Sequence, residues 1–184
     1  KMYQFTEGNV YGTTYHVSYR SDTDYDAEIR QEMERVNQSL SMFNKNSVIS
    51  KWNRGESDQV DSLFIAMYTK AKEVNQVTGG AFDITVAPLV NVWGFGFKNE
   101  KLPSAEKVDS LLRYVGMDKV QLDGDRVIKQ VEGIQMDASS IAKGQGVDLV
   151  AEFFDRNGVH DYMIEIGGEV RVRGESNKQR PWHI

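Results

Sequence analysis

The sequence predicts an α+β fold of mixed helices and mainly antiparallel sheet. Three observations carry that class. Apolar residues recur at helical spacing in several separate segments, and other segments alternate apolar and polar residues with the two-residue period of a strand. Both kinds mix without the strict strand–helix–strand rhythm of a doubly wound fold. Two hairpin signals, Asp123-Gly124 and Gly167-Gly168, join neighbouring strands antiparallel.

Taken in order, Thr13, Tyr15, Val17 and Tyr19 alternate with smaller or polar residues and mark a strand. Ile29, Met33, Val36, Leu40 and Phe43 define one buried helix face. Leu63, Met67, Ala71, Val74 and Val77 repeat the pattern, and Gly79-Gly80 stops that helix. Ser104 is an N-cap with Glu106 in the first turn, starting a helix through Val108, Leu111, Leu112 and Val115 to Gly116. Val147, Val150, Ala151 and Phe154 mark a fourth helix, ended by Asn157-Gly158. Tyr162–Ile166 and Glu169–Arg173 are strands around the Gly167-Gly168 turn. Pro181-Trp182-His183-Ile184 reads as the start of a third strand of that meander.

The chain has 184 residues, which fits one domain over residues 1–184. Hydrophobic residues make up 40% and charged residues 27%, which excludes a disordered, collagenous or coiled-coil chain. No apolar run approaches the ~20 residues that span a bilayer. Lys1-Met2-Tyr3-Gln4 is followed by no apolar core and is not a signal peptide. Lys and Arg number 22 against 27 Asp and Glu, a net charge of −5, and no basic cluster offers a nucleic acid a footprint. The absence of cysteine excludes a disulfide frame, a thiolate nucleophile and a Cys-ligated metal. His16, His160 and His183 show no paired ligand spacing, so any metal is a hard cation such as Mg²⁺ held by oxygens.

Three stretches lie outside the helix faces. In Gly79 to Val90, Asp83 stands between apolar residues before a helix. It can accept from the N–H donors of a ligand, or it or Thr85 can simply cap that helix. In Met136 to Asp148, small hydroxyl residues, Lys143 and two glycines gather at a helix N-terminus. That is the composition of an anion site, and equally of a cap with a close helix crossing at Gly144 and Gly146. In Glu165 to Glu169, two carboxylates flank a turn whose glycines are needed for its shape alone; they could serve a ligand or be ordinary edge-strand charges. Trp93, Phe95 and Phe97, spaced by Gly94 and Gly96, could stack on a planar ring or fill a core.

Together and in order, these stretches resemble the ApbE family of FAD:protein FMN transferases, over nearly the whole chain. Gly12-Thr13-Thr14-Tyr15 is similar to the family's opening segment. Leu40-Ser41-Met42-Phe43 and Asn46 to Asn53 are similar to its next block. Gly80 to Val90 is the most specific match. Asp137 to Gly144 and Gly167-Gly168-Glu169 complete the set.

The resemblance implies an ApbE-like (T-fold-like) architecture. It implies that FAD is bound, that its pyrophosphate is cleaved with Mg²⁺, that FMN passes to a Thr or Ser hydroxyl of an acceptor protein, and that AMP leaves. The other functions open to such a site are hydrolysis of FAD to FMN and AMP, and flavin binding without turnover. Carried over by position, Tyr11, Ser41, Met42, Phe43, Asp83 and Lys143 line the FAD site, and Glu169 joins them as a weaker candidate. Lys143 neutralises charge at phosphorus, and Ser140 gives Mg²⁺ a main-chain oxygen.

Tyr11 departs from the family's usual Met. The family's remaining magnesium ligands and a His-containing segment have no counterpart before Ile184. The expectation is therefore a front portion of a larger enzyme, lacking its C-terminal part and holding half a metal site, that by itself neither cleaves FAD nor flavinylates a target. Family members of this kind are commonly exported and tethered by an N-terminal lipid. That implies a lipoprotein on the periplasmic side of the cell envelope, membrane-anchored through a residue preceding this chain.

Overall fold

The computed structural model describes residues 2–93 and 102–184, and the Phe95 and Phe97 alternation lies outside them. In chain order the elements are β1 (Tyr3–Val10), β2 (Thr13–Arg20), α1 (Asp26–Leu40), α2 (Val48–Asn53), α3 (Ser62–Val77), α4 (Ala87–Val92), α5 (Ala105–Leu112), β3 (Val120–Asp123), β4 (Arg126–Lys129), α6 (Ser139–Arg156), β5 (Tyr162–Ile166) and β6 (Glu169–Arg173). Short 3-10 turns cover Ile84–Val86 and Met117–Lys119. The helices and antiparallel ladders are those of the expected α+β class. The backbone clusters into two compact units, Lys1–Asn37 with Ile141–Ile184, and Gln38–Ser140.

The first unit is a four-stranded antiparallel sheet in the order β1-β2-β5-β6. Tyr15, Val17 and Tyr19 of β2 lie beside Ile166, Ile164 and Tyr162 of β5, and all six are buried. Ile29 and Met33 of α1, with Val147, Val150, Ala151 and Phe154 of α6, cover that face. Each of these side chains except Ala151 contributes about 1.5–3 kcal/mol by leaving water. Phe154 sits 4.9 Å from the Tyr19 ring and 5.2 Å from Tyr162. β1 buries only Thr6 and so shows almost no apolar alternation in the sequence. Pro181–Ile184 forms no strand. Pro181 makes one bridge to Glu175, and Trp182 instead donates its indole N–H to the Arg173 carbonyl at 3.0 Å.

In the second unit Trp52, Phe64, Met67, Tyr68, Ala71, Val120 and Val127 are buried. The Trp52 indole donates to the Val127 carbonyl at 2.8 Å and the Tyr68 hydroxyl to that of Val120 at 3.1 Å. Asp61 caps α3 and Ser104 caps α5. Helix ends account for several differences from the sequence pattern. α1 stops at Leu40, so Phe43 leaves the buried face and is 85% exposed. Val77, the last residue of α3, is also exposed. α5 ends at Leu112 rather than continuing to Gly116, because the Lys119 ammonium takes the carbonyls of Leu112, Arg113 and Val115. The β3–β4 turn is Gly124-Asp125, one residue later than expected, with Asp123 paired to Arg126.

Candidate functional site

Asp83 caps the Ile84–Val86 turn. Its Oδ1 accepts from the Thr85 amide at 2.8 Å and the Thr85 hydroxyl at 2.5 Å, and its Oδ2 accepts from the Met117 amide at 3.3 Å. The Thr85 hydroxyl also accepts from the Gly116 amide at 2.7 Å. The capping reading of this segment therefore holds, and it does not exhaust the residue. Asp83 also lines a cavity of about 350 Å³ with Phe82, Val86, Val90, Asp137, Ser139 and Ser140. It borders a second of similar volume with Gly79, Gly80 and Met117. Apolar walls with a few convergent oxygens are the ordinary make-up of a small-molecule site.

The start of α6 is capped by Asp137, not by a serine. Its Oδ1 accepts from the Ser139 amide at 2.9 Å and the Ser139 hydroxyl at 2.5 Å. Ser140 is exposed on the cavity rim. Asp137 is tied back by its amide, which donates to the Ile84 carbonyl at 2.9 Å. Asn53 supplies the next tie: its Oδ1 accepts from the Met136 amide at 2.8 Å and its Nδ2 donates to the Met136 carbonyl at 2.9 Å. The same Nδ2 lies 3.8 Å from the Met42 sulfur. Three sequence motifs, around Met42, Asp83 and Asp137, thus meet in this unit through the Asp137–Ile84 backbone bond and the side chain of Asn53. Sequence reading gave Asn53 no role of its own, although it ends a quoted motif.

Ser41 organises the loop before α2. Its hydroxyl accepts from the amides of Phe43 and Asn44, and its carbonyl accepts from the Ser47 hydroxyl at 2.7 Å. The Phe43 ring is left in solvent.

In the other unit, Tyr11 and Gly12 form the β1–β2 turn with φ of 53° and 71°. A left-handed tyrosine is strained. Its side chain offsets that by donating to the Met33 carbonyl at 2.6 Å and packing its ring against Gly146, where an added Cβ would lie 3.1 Å from Cε2. Burial, then Glu34, raises the Tyr11 phenol above its ordinary range. The close approach at Gly146 is to this ring and Ile166 rather than to another helix. Gly144 is unconfined; an added Cβ would meet only the Glu169 carboxylate, at 4.0 Å.

Lys143 is the fifth residue of α6, and its ammonium has no ion pair among the described residues. Its stem crosses Gly167, where an added Cβ would lie 3.1 Å from Lys143 Cδ. Beside that turn, Glu165 accepts from the Gly168 amide at 2.7 Å and pairs with His16 Nδ1 at 2.8 Å. These bonds, His16 first, hold the Glu165 carboxyl below the usual carboxylate range. Glu165 is thus engaged within the sheet, whereas Glu169 is exposed.

Asp83, Ser41, Met42, Phe43 and Ser140 therefore belong to the Gln38–Ser140 unit, and Tyr11, Lys143 and Glu169 to the other. For magnesium, Ser140 and Asp137 offer hard oxygens of the right kind. No group of three or more His, Asp or Glu suited to a metal occurs among the described residues.

In the second unit Asp83, Asp137, Ser139 and Ser140 line a cavity, and in the first unit Lys143 of α6 has no ion pair among the described residues. The ApbE family model matches residues 11–184, and the chain belongs to the ApbE family. An FAD:protein FMN transferase of Haemophilus influenzae is 37% identical over 194 residues, covering 96% of this chain and 56% of that protein. One from Vibrio cholerae is 34% identical, with 96% and 56% covered. Among solved structures, the flavin transferase ApbE from Vibrio cholerae superposes with a TM-score of 0.94 at 33% identity, over 100% of this chain and 63% of that one. The apo Pseudomonas stutzeri flavinyl transferase ApbE gives 0.90 at 31%, over 100% and 62%. The chain spans about 56% of the length of the curated relatives it matches.

Proposed function

We propose that this chain carries the FAD-binding part of an FAD:protein FMN transferase. The reaction joins a Thr or Ser hydroxyl oxygen of an acceptor protein to the FMN phosphorus. The bond from that phosphorus to the bridging oxygen breaks, AMP departs with that oxygen, and the hydroxyl proton is lost. Magnesium, when bound, neutralises charge on the pyrophosphate. Ser140 and Asp137 are the residues here that would help hold it. We place the whole protein on the periplasmic side of the cell envelope, tethered by an N-terminal lipid.

The observation that carries the reading is Lys143. Lys143 lies in the second turn of α6, where the helix dipole is already weak. It has no ion pair among the described residues, so a diphosphate can serve as its counter-charge. Phe43 adds a solvent-exposed ring suited to stacking on a flavin or adenine. Asp83 adds a carboxylate for ring N–H groups. Tyr11 contributes through its turn backbone and packing, since its hydroxyl is committed to Met33. Glu169 stays the weaker member of the set.

Titrating the chain with FAD, followed by flavin fluorescence with and without Mg²⁺, tests this. Saturable binding that Lys143→Ala weakens tenfold or more is expected. No binding of FAD overturns the reading.

A further inference from the structure

The Gly167-Gly168 turn has a second job that hairpin formation does not require. With φ of 55° and 92°, it is a two-residue turn of the type that readily takes Asn first and Gly second. Shape alone would therefore tolerate a side chain at 167. Space does not: a Cβ there would sit 2.8 Å from Thr13 Cγ2, 3.1 Å from Lys143 Cδ and 3.2 Å from Lys143 Cε. The aliphatic stem of Lys143 rests on the bare backbone of Gly167.

The turn is also pinned from two sides. The Gly167 amide donates to the Thr14 carbonyl at 3.0 Å, and the Gly168 amide donates to Glu165 Oε1 at 2.7 Å. The other Glu165 oxygen pairs with His16 Nδ1 at 2.8 Å, and His16 Nε2 faces Glu7 at 3.6 Å. Glu7, His16 and Glu165 are cross-strand neighbours on β1, β2 and β5, so the sheet register sets the anchor.

We propose that the Gly167-Gly168 turn, held by the Glu165–His16 pair, is the platform that aims the Lys143 ammonium. Glu165 and Gly167 are then positioning residues. The importance of Lys143 rests on the function proposed above, but its placement does not.

The test reads Lys143 directly in the full chain. An amine-acylating reagent is applied in limiting amount, and mass spectrometry gives the labelling rate of Lys143 relative to Lys70, an exposed lysine of α3. Gly167→Asn keeps a turn-compatible residue but intrudes on the stem. Glu165→Ala frees the Gly168 amide, and Glu165→Gln restores an oxygen to receive it. The Lys143/Lys70 ratio is expected to change at least threefold in Gly167→Asn and Glu165→Ala and to return towards wild type in Glu165→Gln. General loosening moves both lysines together and leaves the ratio unmoved. Unchanged ratios in the folded variants overturn the proposal, and if Gly167→Asn does not fold, Glu165→Ala decides alone. FAD affinity is measured on the same samples. A shifted ratio with unchanged FAD binding supports the platform and overturns the role given to Lys143.

Discussion

Asn53 hydrogen-bonds both backbone groups of Met136, a residue 83 positions later, through one planar side-chain amide. Met136 is fully buried, and Asn53 half-buried. The contact holds the segment that leads into Asp137 and α6.

Replacing Asn53 therefore strands a buried amide and a buried carbonyl. Asn53→Ala is expected to cost roughly 2–6 kcal/mol in urea unfolding, at about 1–3 kcal/mol per unsatisfied group. Asn53→Asp keeps the acceptor but not the donor. It still loses the bond to the Met136 carbonyl, and part of the cost should remain.

Two glycines of α6, two residues apart, should respond oppositely to alanine. Gly144→Ala enters open space and removes a poor helix former, so a gain of about 0.5–1 kcal/mol is expected. Gly146→Ala places a Cβ 3.0 Å from the Tyr11 hydroxyl oxygen and 3.3 Å from Ile166 Cδ1, and should cost roughly 1–3 kcal/mol. Thermal melts of the two variants settle the pair; equal signs would contradict the packing.

Glu165 should make stability acid-sensitive. Its folded-state carboxyl lies below the ordinary value of 4.5, so its contribution is fully present above that value. The contribution is lost as pH falls through the lower folded value. The stability advantage of wild type over Glu165→Gln should thus hold at neutral pH and shrink below about pH 4.5. Urea unfolding of both proteins across pH 3–7 reads it, and an advantage that grows towards acid would refute it.

Tyr15 is buried, and its hydroxyl has no hydrogen-bond partner among the described residues. An unpaired buried hydroxyl costs about 1–3 kcal/mol. Tyr15→Phe should leave the sheet intact and raise the melting temperature, in contrast to most core substitutions. A clear drop would mean that the hydroxyl is satisfied in solution.

Local patterns carried much of the fold. The face of Ile29, Met33, Val36 and Leu40 was legible because a helix writes its period into consecutive residues. Gly167-Gly168 was legible because few residues accept positive φ twice in succession. Phe43 was misplaced because the period says nothing of where a helix stops; Ser41 and Ser47 decide that with hydrogen bonds of the following loop. β1 was illegible because an edge strand that buries one threonine needs no apolar pattern.

The candidate site divides along the same line. Motif order alone brought Ser41, Met42, Phe43, Asp83, Ser140 and Lys143 forward as a set. The cap role of Asp83 followed from its place before a helix. Its bond to Met117, 34 residues on, did not. Nor did the grip of Asn53 on Met136, the seat of the Tyr11 ring on Gly146, or the rest of Lys143 on Gly167. The α+β class, the family and the chemical types of the candidate residues are legible without coordinates, because propensity, period and motif are written locally. Which oxygens are already spent on caps, which ring is free, and why particular glycines must lack a side chain emerge only from the folded chain. Those are contacts between segments tens of residues apart, and close packing rather than local preference sets them.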